Sequence, residues 1–393
     1  MEKTPNDASG GGMTKNPGKL TIAAAECKPI KLEFRLNVSH SLASRNFTEN
    51  IIAEIQSDSG ICGFGESVPR KYVTGETIES VLDTSGRMLS LLKEKSFHSP
   101  GEVVGFLKDI GKSDLGIRNP AALCAVELAL LDLAGKVWDM TVSEIIGLEK
   151  NDEPLVYSLV IPLLRDDSFN SFFAQAKDFG FTSVKTKVDA QNPTGQVKRV
   201  RDFFGSNIEI RVDANCSWNR SNAEGYLKEL HDLGVVSVEQ PLPSDDLEGC
   251  AILREKGLTL ITLDESVTSV SSLHRIISLE ACDIINIRIS KCGGLLGSMN
   301  LIETALENGL GIQLGAHVGE SCILSAAGAH LAAGIKFFRW FEGCFGKYLL
   351  KKGLCHETFQ FTKGGFLNPP KGPGLGIIID RALMKEAENS TNC

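Results

Sequence analysis

The sequence lacks the features that mark several classes of protein. It has no apolar run as long as a membrane span, and its N-terminus does not show the basic-then-apolar order of a secretory signal. Its formal net charge of -8 disfavours nucleic acid or an anionic membrane surface as the main partner. These absences predict a cytoplasmic protein that binds neither nucleic acid nor membranes.

Cysteine is present but forms no recognisable motif. The 11 cysteines are scattered from Cys27 to Cys393, and no two of them have the C-x-x-C spacing of a zinc or redox site. The odd count and the missing signal favour reduced thiols. The sequence therefore predicts free cysteines, most of them packed as small apolar side chains.

Composition divides the chain into four parts. Residues 1–17 are rich in glycine and polar residues and are predicted to be a disordered leader. Residues 18–140 carry strand-like segments followed by helical ones, which predicts an α+β domain. Residues 141–368 alternate short β-branched runs with helical segments, and residues 369–393 form a C-terminal segment.

The α+β part shows its elements clearly. Ile30–Leu36 and Asn50–Ser57 are typical of strands, and the glycine-punctuated turn Ser59–Gly63 indicates a hairpin. Helical periodicity runs from Ile78 to Lys93. A stronger helix is predicted from Pro120 to Trp138, with proline in its first turn.

Eight strand-like runs alternate with helical segments after residue 141. Eight strand–helix units are what a parallel (β/α) barrel requires, and in such a barrel the working groups lie at the carboxyl ends of the strands. The eight runs are Leu155–Pro162, Ser183–Val188, Ile208–Val212, Val235–Glu239, Leu258–Leu263, Ile284–Ile289, Gly311–Leu314 and Phe337–Phe341.

Charged side chains are concentrated at these strand ends. The second strand ends with Lys185 and Lys187, which share a face because side chains alternate with a period of two. The third, fourth and fifth strands end at Asp213, Glu239 and Asp264. Converging carboxylates repel one another unless a cation lies between them, and an all-oxygen site suits Mg²⁺ or Mn²⁺. The alternative is that they are ordinary solvated loop acids.

The series Lys-Thr-Lys, Val-Asp-Ala-Asn, Glu-Gln-Pro-Leu, Leu-Asp-Glu-Ser and Lys-Cys-Gly-Gly resembles the enolase superfamily, in its muconate-lactonising branch. Gly63–Ser67 and Tyr72–Thr77 resemble the capping domain of that branch, most closely that of the dipeptide epimerases. Pro373–Gly376 is similar to the closing segment that returns to the cap. The resemblance covers nearly everything after residue 18. It implies a (β/α) barrel of the modified TIM type under an N-terminal α+β capping domain.

The resemblance also implies roles for the charged residues. Asp213, Glu239 and Asp264 would ligate Mg²⁺, Lys187 would be the general base, and Lys185 would be its electrostatic partner. The chemistry agrees, because removing a proton alpha to a carboxylate produces a dianionic enolate that a bound metal stabilises. A lysine acts as a base only when its pKa falls towards neutrality, and a second cation on the same face favours this.

The sixth strand departs from the two-base racemases and epimerases of this branch. At the position of their second catalytic lysine, this chain has Arg288, which remains protonated at pH 7 and is a poor base. Arg288 is predicted to clamp a carboxylate or to place a fixed positive charge opposite the enolate. A second acid or base would have to be Lys291 or His317. The alternatives are a structural or substrate-contact role for His317 and supporting hydrogen bonds for Lys291.

Strand eight departs as well. Dipeptide epimerases carry Asp-x-Asp there to hold the substrate ammonium group, whereas this chain reads Arg-Trp-Phe-Glu-Gly. Only Glu342 is left to take part of that role. Trp340 is either an aromatic wall of the site or a packing residue.

Basic residues in the capping part correspond to loops that meet the substrate in this family. Arg70 and Tyr72 belong to one such loop, and His40 and Arg45 to another. Their character suits a second anionic group on the substrate, and the alternative is a solvated loop. Glu320, which follows the seventh strand, is a further candidate substrate contact.

These residues together predict a Mg²⁺-dependent enzyme that abstracts the proton alpha to the carboxylate of a small-molecule substrate. A single base, Lys187, favours cycloisomerisation or syn β-elimination. One alternative is a racemase or epimerase of an amino-acid or dipeptide derivative, with Lys291 or His317 as the second base. Another is a non-catalytic barrel that binds a carboxylate. A homo-oligomer is expected, as is common for soluble enzymes.

Overall fold

The computed structural model of the chain describes residues 18–40, 43–149, 151–163, 176, 178–356 and 359–392. The predicted leader, residues 1–17, lies outside the described residues. For His40 only the backbone is described.

A four-stranded antiparallel sheet forms the first part of the fold. The order of its strands is β3-β2-β1-β4, and the predicted hairpin joins β2 to β3. Strand β1 is longer than the sequence predicts, although Pro29 lies within it. Proline is tolerated there because β4 pairs only with Leu20 and Thr21, so that β1 is an edge strand at Pro29. The strands are β1 (Leu20–His40), β2 (Ala43–Ser57), β3 (Cys62–Ser67) and β4 (Ser96–Phe97).

Helices complete this capping part. The predicted helix from Ile78 ends at Ser90 rather than Lys93, and the predicted helix Pro120–Trp138 has the expected bounds. The helices are α1 (Lys71–Thr74), α2 (Ile78–Ser90), α3 (Pro100–Lys112), α4 (Asp114–Ile117), α5 (Pro120–Trp138) and α6 (Val142–Ile145).

Helix α5 is the centre of the capping part. It is apolar on nearly all sides, which is typical of a helix buried within the core. Gly63 and Gly65 allow β3 to lie directly against it, since a Cβ on Gly65 would overlap the carbonyl oxygen of Ala125. This close approach explains why the strand carries glycine at both positions.

Eight parallel strands follow, each hydrogen-bonded to the next in chain order, and all eight predicted strands are confirmed. A parallel bridge between Tyr157 and Phe341 brings the last strand to the first and closes the barrel. The strands are β6 (Leu159–Ile161), β7 (Ser183–Lys187), β8 (Glu209–Asp213), β9 (Val235–Glu239), β10 (Leu260–Leu263), β11 (Ile284–Ile287), β12 (Gly311–Leu314) and β13 (Phe338–Phe341), with β5 (Leu155–Val156) and β14 (Phe366–Leu367) as a separate pair.

The barrel helices follow the strands and cover their outer surface. Within the described ranges, no helix has the length and apolarity needed to cross a membrane. The barrel helices are α7 (Pro193–Phe204), α8 (Arg220–Asp232), α9 (Leu247–Glu255), α10 (Val270–Ser278), α11 (Gly294–Glu307) and α12 (Cys322–Gly334). Two further helices, α13 (Gly346–Leu349) and α14 (Arg381–Asn389), and a 3-10 turn at Ser390–Asn392 follow them.

The C-terminal segment runs back against the capping part. Gly374 exchanges backbone hydrogen bonds with Met140 and Val142 just beyond α5. The backbone N–H of Leu375 donates to Asp132 of α5 at 2.9 Å. Helix α14 then packs against β1.

A disulfide joins Cys322, the first residue of α12, to Cys355. The expectation of free cysteines is therefore wrong for this pair. The two residues are 33 positions apart, and only the folded chain brings them together. The remaining described cysteines are free, and most of them are buried as expected.

Reduction of this disulfide is expected to lower the free energy of unfolding by about 3–4 kcal/mol, because the unfolded chain is no longer closed into a loop. Denaturant unfolding with and without dithiothreitol measures the change. In a Cys322→Ser/Cys355→Ser double variant the reductant should have no effect. An unchanged midpoint for the wild-type chain would show that the disulfide does not stabilise the fold.

Candidate active site

The two lysines of β7 reach into the mouth of the barrel from the same face, as their spacing predicts. Lys187 donates from Nζ to Asp213 Oδ2 at 2.9 Å and to Asn215 Oδ1 at 2.6 Å. Lys185 donates to both carboxylate oxygens of Glu239 at 3.1 and 3.2 Å. Lys185 is only 5% exposed and Lys187 only 8%, so these acceptors take the place of water around the two ammonium groups.

The three predicted metal ligands lie at adjacent strand ends. Asp213 and Glu239 are the last residues of β8 and β9, and Asp264 directly follows β10. All three are buried and line one cavity. Buried carboxylates are costly unless each is paired, and here each has a different cation of the barrel as its partner.

Arg288 is the partner of Asp264 and holds it at two points. Its Nε donates to Oδ1 at 2.9 Å, and its Nη2 pairs with Oδ2. Lys291 adds a further bond from Nζ to Oδ1 at 2.8 Å. Burial raises the pKa of Asp264, but Arg288 and Lys291 outweigh it and hold that pKa well below its usual value.

Lys291 lies beneath the cavity rather than in its wall. It is fully buried, and it also donates to the backbone oxygens of Asp264 and Asn286 at 2.7 and 2.8 Å. An ammonium group has three N–H donors, and all three have acceptors here. In this position Lys291 supports Asp264 and does not face a substrate.

His317 and Glu320 line the cavity beyond β12. Nδ1 of His317 lies 3.7 Å from Glu320 Oε1 and has no hydrogen-bond partner among the described residues. Burial, reinforced by repulsion from Arg288 and Arg70, lowers the pKa of His317 well below its usual value, so the ring is neutral at pH 7. Burial also raises the pKa of Glu320 to about 8.

Glu342, directly after β13, lies at the cavity floor. Its carboxylate pairs with Lys185 at 2.6 Å and with Arg211 at 2.7 Å, so two cations already occupy the group that was expected to hold a substrate ammonium. Trp340 is not an aromatic wall of the cavity. It lies deeper in the barrel, where Arg211 stacks 4.5 Å from its ring and its Nε1 donates to Glu209 at 2.5 Å.

The capping part contributes three side chains to the same cavity, namely Arg45, Arg70 and Tyr72. Arg45 belongs to β2, and the other two lie at the start of α1. Both loops singled out in the sequence therefore reach the cavity. The side chain of His40 lies outside the described residues.

Uncharged polar residues to which the sequence analysis assigned no role hold the acids in place. Asn286 and Gln313 donate to the two oxygens of Glu239 at 3.0 and 2.9 Å. Gln240 accepts from the backbone N–H of Asp264 at 3.0 Å and so links two strand ends. Two of these amides thus orient the carboxylate of Glu239, and the third positions the backbone of Asp264.

The strand periodicity carries a signal for Asn286 and for Arg211, the partner of Glu342. Arg211 precedes Asp213 by two residues, and Asn286 precedes Arg288 by two, so each pair shares the inner face of its strand. The alternation that places Arg288 inside the barrel places Asn286 there too, and one step inward from Asp213 it also reaches Arg211. Gln240 follows its strand and has no such signal.

The chemistry of the donor set fits a hard divalent cation. Asp213, Glu239 and Asp264 supply carboxylate oxygens, and the neighbouring Glu265 has a buried Oε2 with no partner in the described part of the chain. As the side chains stand, no three His, Cys, Asp or Glu of the described residues form a ready-made ion site. Ligation would therefore exchange ion pairs with lysine and arginine for bonds to the metal.

Comparison with known families agrees with this arrangement. Residues 27–147 match the family described as mandelate racemase / muconate lactonizing enzyme, N-terminal domain, and residues 171–383 match the enolase C-terminal domain-like family. The chain belongs to the enolase superfamily. Its relatives place it in the muconate-lactonising branch, which confirms the resemblance inferred from the strand-end motifs.

Individual relatives have different activities. An N-succinyl-L-Arg/Lys racemase of Bacillus cereus is 29% identical over 93% of this chain and 98% of its own. Its crystal structure superposes with a TM-score of 0.84, at 28% identity and the same coverage. Muconate cycloisomerase 1 of Acinetobacter baylyi is 26% identical over 86% of this chain and 91% of its own. The chain is thus an enzyme of the isomerase and lyase type.

A third comparison shows the fold together with a ligand. The dipeptide epimerase of Enterococcus faecalis, complexed with Mg and the dipeptide L-Leu-L-Tyr, has a TM-score of 0.82 at 24% identity. The alignment covers 91% of this chain and 99% of that one. The Mg ion and the dipeptide belong to that protein, and for this chain the comparison shows the fold.

Glu342→Gln is expected to lower the free energy of unfolding by about 3 kcal/mol, because Arg211 and Lys185 then remain buried with one carboxylate fewer. Glu149→Gln is the matched control, since Glu149 pairs with Lys336 at the surface and should show no measurable change. Urea denaturation compares the two variants. Equal midpoints would contradict the structural importance of the buried pairs.

Proposed function

We propose that this enzyme abstracts the proton alpha to a carboxylate of its small-molecule substrate, with Lys187 as the base. The observation that carries the proposal is the position of Lys187. Its Nζ lines the cavity beside Asp213 and is oriented by two acceptors, Asp213 and Asn215. A substrate carboxylate held near the three acids would present its alpha carbon to this amine.

A Mg²⁺ ion held by Asp213, Glu239 and Asp264 would supply stabilisation of negative charge on the substrate carboxylate oxygens. Lys185 serves beside it as a fixed cation. Burial lowers the pKa of Lys185, but attraction by Glu239, Glu342 and Asp213 outweighs the effect of burial. The pKa of Lys185 therefore lies above its usual value, and the amine stays protonated. The role of base therefore goes to Lys187.

The opposite wall of the cavity argues for one base rather than two. Strands β7 and β11 are four apart in the eight-stranded barrel, so Lys187 and the residue after β11 face each other. That residue is Arg288, which is bound to Asp264 at two points. An arginine is a poor base, so Lys187 alone serves both halves of the reaction on one face. In syn β-elimination it would take the alpha proton and pass it to the leaving group, and in cycloisomerisation it would protonate the enolate formed by ring closure.

Racemisation or epimerisation is the second candidate, and His317 favours it. The ring of His317 lines the cavity and is neutral, and its Nδ1 forms no hydrogen bond with any described residue. It follows β12, three strand positions from β7 around the barrel, and so approaches a substrate from a side other than that of Lys187. The N-succinyl-L-Arg/Lys racemase among the relatives supports the same reading.

Lys187→Ala is expected to abolish exchange of the substrate alpha proton with solvent, because no other base of the described cavity replaces it on that face. Proton NMR in D₂O with Mg²⁺ would follow a panel of N-succinyl amino acids, dipeptides and hydroxy acids. Removal of divalent ions by chelation should stop exchange as well. Lys108→Ala, an exposed lysine of α3, is the matched control and should exchange normally.

Exchange that persists in Lys187→Ala at the wild-type rate would overturn the assignment of the base. Exchange that survives complete removal of divalent ions would overturn the role given to the three acids. If the wild-type protein bound compounds of the panel without exchanging the alpha proton of any of them, a non-catalytic barrel that binds a carboxylate would replace the enzyme as the interpretation.

A further inference from the structure

The side-chain amide of Gln196, near the start of α7, connects the ends of the first two barrel strands. Its Nε2 donates to the backbone oxygen of Pro162, the residue after β6, at 2.8 Å, and to that of Lys187, the last residue of β7, at 3.0 Å. Thr186 Oγ1 accepts from the same nitrogen at 2.7 Å. An amide nitrogen carries two N–H groups, so one of them is shared between two acceptors.

Regular strand pairing stops just short of Lys187 on the β6 side. Strands β6 and β7 pair in register as far as Ile161 and Thr186. The next pair would be Pro162 with Lys187, but proline has no N–H and cannot continue the ladder. Toward β8, by contrast, the pairing extends to Lys187 itself. Gln196 therefore supplies a donor where Pro162 has none.

The connection from β7 to α7 holds Gln196 in this place. Asp189 accepts through Oδ1 from the backbone N–H groups of Gln191 and Asn192 at 2.8 and 3.2 Å. The side chain of Asn192 then caps α7 by accepting from the N–H of Gly195 at 3.0 Å. Gln196 is only 6% exposed, so its hydrogen bonds are shielded from bulk water.

Gln196 acts on the backbone of Lys187 rather than on its ammonium group. The ammonium group is held by Asp213 and Asn215, and Gln196 does not line the cavity in the described part of the chain. The backbone position of a lysine determines where its long side chain can deliver Nζ. A misplacement of about 1 Å at a reacting group can lower a rate about 100-fold, so the position of this strand end matters for catalysis.

We propose that Gln196 is a positioning residue for Lys187, because its amide replaces the strand pairing that Pro162 interrupts and so fixes the end of β7. The inference rests on the proposed function, in which Lys187 removes the alpha proton. It goes beyond that function by giving a role in the reaction to a residue outside the described cavity.

Gln196→Leu removes the N–H groups at nearly constant size. In the D₂O exchange assay with Mg²⁺, using the compound of the panel that the wild-type protein exchanges fastest, kcat should fall about 10- to 100-fold. The Kd of that compound should stay within about twofold, since the lining of the cavity is intact. The ratio of variant to wild-type kcat should be the same at every pH, because the variant alters no bond of the titrating ammonium group.

Gln196→Glu adds a signature in the pH dependence. Its side chain keeps the shape of glutamine, but an ionised carboxylate can only accept and would face the carbonyl oxygens of Pro162 and Lys187. When protonated, the carboxyl group regains one O–H donor. The kcat of this variant relative to the wild type should therefore rise as the pH falls. Either variant tests the inference if the other fails to fold.

Ser183→Ala is the matched control, because it removes a side-chain bond between the same two strands at their opposite end. Ser183, the first residue of β7, accepts from Ser158 Oγ at 3.2 Å. This variant should leave kcat unchanged. Urea denaturation of the variants separates a general loss of stability from an effect on the reaction.

Exchange of backbone amides, followed by mass spectrometry, tests the same inference without a substrate. The N–H of Val188, just after β7, donates to the backbone oxygen of Asp213 at 3.2 Å and reports on the strand end. It should exchange about 10-fold faster in Gln196→Leu than in the wild-type protein or in Ser183→Ala.

The outcomes separate this inference from the proposed function. Wild-type kcat and unchanged exchange of Val188 in Gln196→Leu would overturn the positioning role and leave Lys187 as the base. An equal loss of kcat in Ser183→Ala, or a loss that appears in Kd alone, would overturn it as well. If the wild-type protein exchanges no compound of the panel while Val188 opens faster only in Gln196→Leu, the proposed chemistry is overturned and Gln196 keeps its role at the strand end.

Discussion

Repulsion among carboxylates is the constraint on which this site depends. Asp213, Glu239 and Asp264 converge from adjacent strands with almost no access to water, and such a cluster is stable only with compensating cations. Lys187 and Arg288 supply two of them from opposite walls. The residues proposed for catalysis therefore also offset the charge of the buried acids. Arg288 performs this second task although, as an arginine, it is a poor base.

Buried carboxylates of the capping part also tie it to the barrel, by accepting hydrogen bonds from the N-termini of barrel helices. Glu66 of β3 accepts from the backbone N–H groups of Ser321 and Leu324 at the start of α12. Glu127 of α5 accepts in the same way from Leu296 at the start of α11, at 3.1 Å. Carboxylates are favoured at helix N-termini, where backbone donors lack intrahelical partners. These contacts hold the capping residues over the mouth of the barrel, so that Arg70 meets the same cavity as the barrel acids.

Features of the site that are encoded locally could be predicted from the sequence. Strand periodicity and strand ends placed both lysines and the three acids, because neighbouring parallel strands bring their ends together. What failed depends on distant pairings. The disulfide of Cys322 with Cys355 has no spacing signal in the sequence. The ion pair of Glu342 with Arg211 joins residues of the third and eighth barrel strands, and the pattern of one strand does not show how deep its side chains lie in the barrel relative to those of another strand.

The stereochemical course of proton exchange distinguishes a single base from two bases on opposite faces. An enantiopure N-succinyl-L-amino acid would be incubated with the wild-type protein and Mg²⁺ in D₂O, and both the deuterium content and the configuration of the alpha carbon would be measured. We expect deuterium at the alpha carbon with the L configuration retained, because Lys187 removes and returns the proton on one face. Deuterium that accumulates chiefly in the D enantiomer would contradict it and assign a second acid or base to the opposite face.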